Sequence, residues 1–294
     1  MSITAPFSSG RRMLEIAGHL VSPRQSAMAL HQGLTTFWRN RALAWEMVRR
    51  DIAGQYANQA LGSFWVFAHP LSLLLIYVFV FVVVLKVKVP EDAAMPRDYT
   101  SYILAGLVPW LTIAQSLGRS STALISQANL VKQVVFPVEV LPPASVIVSL
   151  TPMAICVPAI VAYQFFNDQG VPLTIVLTPL VIAGMFLFLT GIGYLLSAIT
   201  PFFRDLKDIV TVFVTAGVYL IPAFYLPAWV PPLFKPVILL NPFSYPILVC
   251  QDILYYGRIQ HPSAWVIFFV MAVVSFVAGY RVFRRISPFV ATVL

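Results

Sequence analysis

Charge is what this sequence has least of: 10% of its 294 residues are Asp, Glu, Lys or Arg, while 59% are apolar. A soluble globular domain carries about 25% charged residues, so this chain cannot clothe a folded core in a polar shell. Its mean hydropathy of +0.84 makes it an integral membrane protein. Cysteine is nearly absent as well. Cys156 and Cys250 stand in apolar runs without metal-ligand spacing, which excludes a zinc framework and leaves them as small packing residues with no disulfide expected.

Acidic residues are fewer than basic ones, 11 against 19, for a net charge of +8. A nucleic-acid site would need those bases gathered on a folded soluble face, and no segment is long enough to make one. No G-x-x-x-x-G-K-[ST] loop occurs, so the chain does not itself hold nucleotide phosphates as a P-loop motor does. Nor do the long apolar runs contain Asp, Glu, Lys or Arg. Ion-coupled transporters commonly keep such groups on the transport path, and a membrane-embedded transferase or hydrolase needs convergent ones. His69 is the one ionisable side chain inside a run. It reads as a histidine satisfied near the interface or, alternatively, as part of a proton relay.

What is present is apolar length. A helix crosses a bilayer in about 20 apolar residues, and suitable runs lie at Phe64–Leu85, Tyr99–Gly118, Val140–Phe166 and Pro262–Tyr280, and within Val171–Phe203 and Ile209–Phe234, which makes six spans. The first begins too far from Met1 for a cleavable leader, so it is expected to remain as a permanent span. The run "PVILLNPFSYPILVCQ" has Pro236, Pro242 and Pro246 spaced through it. It is too broken to cross and fits a re-entrant hairpin between spans five and six. With both termini cytoplasmic, the inside segments hold fourteen bases and six acids and the outside segments five of each, so the whole +8 excess is cytoplasmic.

Two cytoplasmic segments carry apolar residues at helical spacing. Leu34, Phe37, Trp38, Trp45, Val48, Ile52 and Tyr56 form one stripe, with Arg39, Glu46 and Arg50 pointing away. This predicts an amphipathic interfacial helix, or simply a basic anchor with no further task. In "SQANLVKQVVFPVEVLPP", Asn129 is placed to cap a short helix carrying Leu130, Val134 and Val135, and Pro137 to turn the chain back toward lipid. Those apolar residues suit a protein partner or packing on the chain's own bundle. "PFFRDLKDI", residues 201–209, has alternating charges that suit snorkelling at the interface.

Taken together, "RRDIAGQYANQALGSFWVFAHPL", "NLVKQVVFPVEVLPP" and "FFRDLKDI", in this order on six spans, resemble the ABC-2 type permeases that export lipid-linked polysaccharides such as O-antigen, capsule and teichoic acid. The likeness runs from about Trp45 to Arg285. It implies a bacterial inner-membrane homodimer bound to two separate ATP-binding subunits, which hold the ATP and Mg; this chain then carries no cofactor and is no enzyme by itself. The implied cargo is a polyprenyl-pyrophosphate-linked polysaccharide, with O-antigen favoured. A capsule or teichoic-acid exporter is the near alternative, and an ion-coupled secondary transporter the remote one. Residues 1–63 become a cytoplasmic segment with a gate helix, 64–284 the transmembrane domain and 285–294 a cytoplasmic tail.

Carried over by motif, Arg49, Arg50 and Asp51 lie on the gate helix, and Asn129, Lys132, Phe136 and Pro137 belong to an ATPase-coupling helix. The family's run here is closer to "FPREV", and Val138 replaces its basic residue. A glycan path wants flat apolar faces with polar edges. Tyr77, Phe79, Phe81, Trp110, Tyr219, Phe224 and Tyr225 are the candidates, with placement in the core or the interfacial aromatic belt as the alternative for each. Trp229, Asn241 and Tyr245 fall in what resembles the periplasmic gate. Gly184, Gly191 and Gly193 are expected to allow close helix packing.

Overall fold

The structure is a computed structural model that describes residues 23–55, 59–86, 96–132 and 136–293. Regular structure among them is wholly helical: α1 (Pro23–Arg39), α2 (Arg41–Gly54), α3 (Phe64–Val78), α4 (Tyr99–Ser126), α5 (Ala128–Val131), α6 (Leu141–Ser149), α7 (Thr151–Phe166), α8 (Thr178–Ile199), α9 (Leu206–Gly217), α10 (Lys235–Leu240), α11 (Ser244–Gln251) and α12 (Pro262–Val293). Wider turns at Phe79–Val84 and Asp252–Tyr256 prolong α3 and α11, and a tighter turn at Val138–Val140 leads into α6. Five stretches are long and apolar enough to cross a bilayer: Phe64–Val84, Tyr99–Ser126, Val138–Phe166, Leu173–Ile199 and Pro262–Val290. The chain is a multi-pass membrane protein. Helices suit that solvent because each satisfies its own backbone where water is absent.

α4 is the axis of the bundle. Of its apolar window 78% is buried inside the chain, against 11% for the span that begins with α3, which stands at the edge. The helix starts where Asp98 caps it, its Oδ1 accepting the Ser101 N–H at 2.9 Å. Tyr163 Oη donates to the other carboxylate oxygen at 2.6 Å. Burial opposes charge on Asp98, but the hydrogen bonds from Tyr163, Ser101 and Gln169 outweigh it and hold the carboxyl below its ordinary pKa. That contribution to stability is present above the ordinary carboxylate pKa and disappears as pH falls through the lowered one.

The glycine expectation holds where α8 meets α12. A Cβ on Gly191 would come within 2.2 Å of the Ser275 backbone, and one on Gly279 within 2.0 Å of the Gly191 carbonyl oxygen. Only hydrogen at both sites lets the two backbones approach this closely. Gly184 meets the Phe268 ring in the same way, whereas Gly193 faces Ser120 on α4. Both cysteines are buried and free.

The fifth span differs from expectation. The sequence predicts one span within Ile209–Phe234, but α9 stops at Gly217, and Val218–Leu226 is irregular yet partly buried, with Ile221, Pro222, Ala223 and Phe224 in the core. Pro222 and the prolines that follow cannot continue a helix. Uncapped carbonyls at this depth would be costly, and side chains of other helices supply donors. Tyr102 Oη lies 3.1 and 3.0 Å from the carbonyls of Pro222 and Tyr225, one proton serving both. Gln251 Nε2 donates to Pro222 at 2.8 Å, and Tyr99 Oη to Phe224. Tyr102→Phe is therefore expected to cost about 1–3 kcal/mol, read as a lower thermal midpoint in detergent; an unchanged midpoint would show that this capping contributes nothing.

Beyond it, residues Pro232–Leu240 and Ser244–Tyr256 form a pair of short helices bent by 94°. Asn241 makes the corner. Its Nδ2 donates to the Leu220 carbonyl at 3.2 Å, and its Oδ1 accepts the Phe243 N–H at 3.0 Å. This is the geometry of a broken span or a re-entrant loop.

The N-terminal helix also differs. The stripe from Leu34 to Tyr56 was expected on one helix, but the chain breaks at Asn40, whose side-chain amide takes the Thr36 carbonyl at 2.9 Å. Tyr56 lies outside the described residues. α2 buries Ala44, Met47 and Val48 in an apolar cluster with Leu141, Ala144 and Val148 of α6, while Trp38 and Trp45 remain 67% and 63% exposed.

Candidate functional site: the basic end of the bundle

One end of the bundle gathers α1, α2, α5 and the last turns of α12. On α2, Arg49 and Arg50 are exposed and Asp51 is half-buried, with Arg50 Nη2 3.8 Å from Asp51 Oδ1. The same guanidinium donates to Gln127 Oε1 at 3.1 Å. Gln127 is the residue on which α5 begins. The two segments read separately from the sequence are therefore joined by one hydrogen bond.

α5 itself is a single turn. Asn129 does not cap it, because Gln127 holds that position and makes no side-chain cap bond, and Asn129 sits within the turn, exposed. Lys132 just after it is exposed too, while Phe136 packs partly into the α2–α6 cluster. Val134 and Val135 lie outside the described residues. α5 ends at Val131, and Pro137, at ψ 85°, precedes the Val138–Val140 turn that leads the chain into α6.

The return from α5 is held from the far end of the sequence. Arg284 on α12 places Nε 3.6 Å from Glu139 Oε1 and donates from Nη1 to Gln32 Oε1 on α1 at 2.8 Å. Tyr194 Oη donates to the Glu139 carbonyl at 3.0 Å. Glu139 thus has a basic partner from the last helix, 145 positions later in the chain.

The aromatic candidates divide. Tyr77 and Phe81 from the first span close on Phe224, with ring centroids 5.3 and 4.2 Å apart, the second pair stacked. Tyr219 and Phe79 are exposed, and Tyr225 is half-buried with its hydroxyl 3.4 Å from the Tyr219 carbonyl. Trp110 is 3% exposed, wedged against Gly217, Phe213 and Phe243. Trp110 and Phe224 belong to the core in this conformation and offer no face to a passing molecule. Their hydropathy at span depth could not separate lining from packing.

At the opposite end, Trp229 packs on Tyr99 with centroids 6.3 Å apart, and Tyr245 Oη donates to the Leu239 carbonyl at 2.5 Å. Asn241 holds the corner described above. The sequence reading missed what lies beneath them: Asp252, wholly buried, accepts from the His261 backbone N–H at 3.0 Å and from Trp265 Nε1 at 2.9 Å, with His261 Nδ1 2.8 Å from its other oxygen.

The sequence pattern of the family described as "ABC-2 type transporter" matches residues 42–255, which takes in α2, α5 and the bent helix pair in one continuous alignment. This chain belongs to the ABC-2 type transporter family. Among relatives of this ABC-2 protein, one from Klebsiella pneumoniae named O-antigen export system permease protein RfbA is 28% identical over 249 residues, covering 84% of this chain and 93% of the relative. A second K. pneumoniae protein of that name is 26% identical over 249 residues. A Myxococcus xanthus protein of the same name is 26% identical over 188 residues, 64% of this chain and 70% of the relative. The junction between α2 and α5 lies inside the family match, whereas Arg284 lies beyond it.

The sequence also undervalued Arg119. In the sequence it is one inside charge among fourteen, yet its Nη2 donates to Gln55 Oε1 at 2.6 Å and it lines two cavities beside the end of α2. A signal was available: Arg119 follows an apolar run by one residue and sits on the most buried helix.

Proposed function

We propose that the chain is the membrane subunit of an ATP-driven exporter that moves a lipid-linked polysaccharide, O-antigen, across the bacterial inner membrane. Two copies form the channel at their interface, and each binds one separate ATP-binding subunit through α2 and α5 on the cytoplasmic side. The bent pair α10–α11 is a re-entrant hairpin that gates the periplasmic side.

The observation that carries this reading is the Arg50–Gln127 bond. It joins the helix leading to the first span to the turn between the next two, both inside the family match over residues 42–255. The relatives' shared name, over 93% of the first relative's length, supports the cargo class. Asn129 and Lys132 are exposed polar groups that suit an ATPase surface, and Tyr219 and Phe79 are exposed aromatic faces that suit contact with a second copy. Thr211 and Thr215 on α9 return their hydroxyls to their own helix at 2.9 Å, so that exposed face is satisfied in lipid or in a wet channel.

Two measurements test it. The chain purified in mild detergent is expected to retain its ATP-binding subunit, and export in cells is expected to stop when that subunit cannot hydrolyse ATP. Polysaccharide movement by the chain alone, driven by an ion gradient, would overturn the reading. Arg49→Gln with Arg50→Gln is expected to lower export about tenfold or more, the scale of lost charge-assisted bonds to a pyrophosphate, with the complex still assembled. Normal export by that double variant would remove both arginines from the mechanism. Complementation of strains lacking O-antigen or capsule export separates the two cargoes.

A further inference from the structure

α1 precedes the family match and is held against the bundle at a depth that a helix resting on the headgroups would not reach. A Cβ on Gly33 would stand 2.9 Å from the Phe276 ring of α12, and Phe37 packs on Phe186 of α8 with ring centroids 5.6 Å apart. Phe186 is thirteen residues along the Leu173–Ile199 span, counted from the end remote from the basic residues. That is about 20 Å at 1.5 Å per residue. In a hydrocarbon core roughly 30 Å thick, the Phe37 ring therefore lies inside the leaflet on the basic side. No aqueous partner reaches that depth, so the outer face of the α1–α2 corner meets lipid.

A cavity of about 410 Å³ opens at this corner, bounded by Phe37, Arg41, Ala42, Ala44, Trp45 and Ile147. Ile147 is nineteen residues from the Phe166 end of its own span, about 28 Å along it. The cavity thus sits where hydrocarbon gives way to headgroups. Its walls suit that boundary. The exposed Trp45 ring offers a flat apolar face and an indole donor. Arg41 holds its guanidinium 5.0 Å from the centroid of the Trp38 ring, and its Nη1 donates to the Trp38 carbonyl at 3.3 Å. Those contacts position the cation without neutralising it, and among the described residues Arg41 forms no ion pair. From Pro23 to Arg50 the chain has five arginines and a single acid, Glu46. An unneutralised guanidinium takes a phosphodiester, and a surplus of positive charge disfavours a head that brings its own ammonium.

We propose that the α1–α2 corner is a binding site for an anionic phospholipid of the surrounding bilayer, phosphatidylglycerol, separate from any exported cargo. The phosphodiester sits on Arg41, the glycerol backbone lies against Ala42 and Trp45, and the acyl chains run past Phe37 and Ile147 into the leaflet. Phe37 and Arg41 stand ahead of residue 42, where the family match begins, so part of the site comes from the segment that the family pattern does not cover. The bound lipid ties the start of α2 to the bilayer.

The test uses the full chain in nanodiscs of equal parts phosphatidylglycerol and phosphatidylethanolamine, with native mass spectrometry of the lipids that stay bound when the disc is stripped. Phosphatidylglycerol is expected to be retained about tenfold over phosphatidylethanolamine, the scale of one charge-assisted bond. Arg41→Gln should bring the two lipids close to parity, and Arg41→Lys should keep part of the preference, because charge returns without the fork. Trp45→Ala should lower retention of both. Arg258→Gln removes an exposed arginine from the opposite end and should leave the preference as in wild type. A thermal midpoint in detergent checks that each variant is folded. Retention of neither lipid, or of both alike, by the wild type overturns the proposal, as does an unchanged preference in Arg41→Gln or an equal loss in Arg258→Gln. So does a disulfide between protomers formed readily by Trp38→Cys, which would put a second copy over the corner in place of lipid. No step depends on what is exported, so the lipid preference stands or falls apart from the export reading.

Discussion

Gly279→Ala is expected to give a protein that no longer holds its last helix against α8. The added methyl would stand 2.0 Å from the Gly191 carbonyl oxygen and 2.8 Å from its carbon. Those are backbone atoms, which cannot turn aside as a side chain does, so the two helices must separate along their length. The cost should exceed the about 1–3 kcal/mol of ordinary overpacking, and it is measured as a collapse of thermal midpoint and of monodisperse yield in detergent. Gly191→Ala should behave alike, because its methyl meets the Ser275 backbone at 2.2 Å. Gly118→Ala supplies the control: nothing lies within 4 Å of its Cβ, and it should be neutral or gain up to about 1 kcal/mol from helix propensity. If Gly279→Ala keeps the wild-type midpoint, the close crossing of α8 and α12 is wrong.

Asp252→Ala is the second large effect. The carboxylate is 1% exposed and accepts two N–H donors, from the His261 backbone and the Trp265 ring, beside the His261 imidazole. It thereby ties the end of the bent helix pair to the start of α12. Truncation leaves the His261 N–H and the Trp265 ring N–H without their acceptor, at about 1–3 kcal/mol for each donor that stays buried. Asp252→Asn should lose less, since an amide oxygen in the Oδ2 position keeps both N–H donors and the NH₂ meets His261 Nδ1, which accepts in one tautomer. Trp265 is a reporter in place: its emission should shift and its quenching rise in the alanine variant at temperatures where the rest of the bundle is intact. Equal stability of wild type and Asp252→Ala would show that this joint does not secure the hairpin.

How much of this was readable in advance follows from the range of each interaction. The spans beginning at Phe64, Tyr99 and Pro262 coincide with helix starts, because a run of apolar residues is a sum over neighbours and the bilayer sets its length. The Pro236–Gln251 segment was recognised as broken for the same reason: three prolines act on their own turns. The fifth span was misjudged because Gly217 and Pro222 weigh little in a hydropathy sum, whereas Trp110 against Gly217 and the hydroxyl of Tyr102 decide where the helix ends. Asn129 was chosen as cap on residue type, a preference that holds only if the backbone turns at that position; the turn came at Gln127.

The site shows the same division. Arg50 was legible as a base beside a span, but its partner Gln127 is 77 residues away, and no local pattern pairs them. Arg284 and Gln32 are separated by 252. In the sequence His69 stands alone among apolar residues, and only packing places it on a cavity wall with Gln115 and Arg119.

By itself the sequence determined the solvent of this protein, its helical class, most of its spans, the bias of its charge and its family, since each of these is written in residue type and order along the chain. The tertiary structure alone decided which aromatics are core, where the fifth helix breaks and which distant polar groups meet. Those outcomes depend on van der Waals contact and hydrogen-bond distance between segments far apart in the chain, and such distances exist only once the helices have packed.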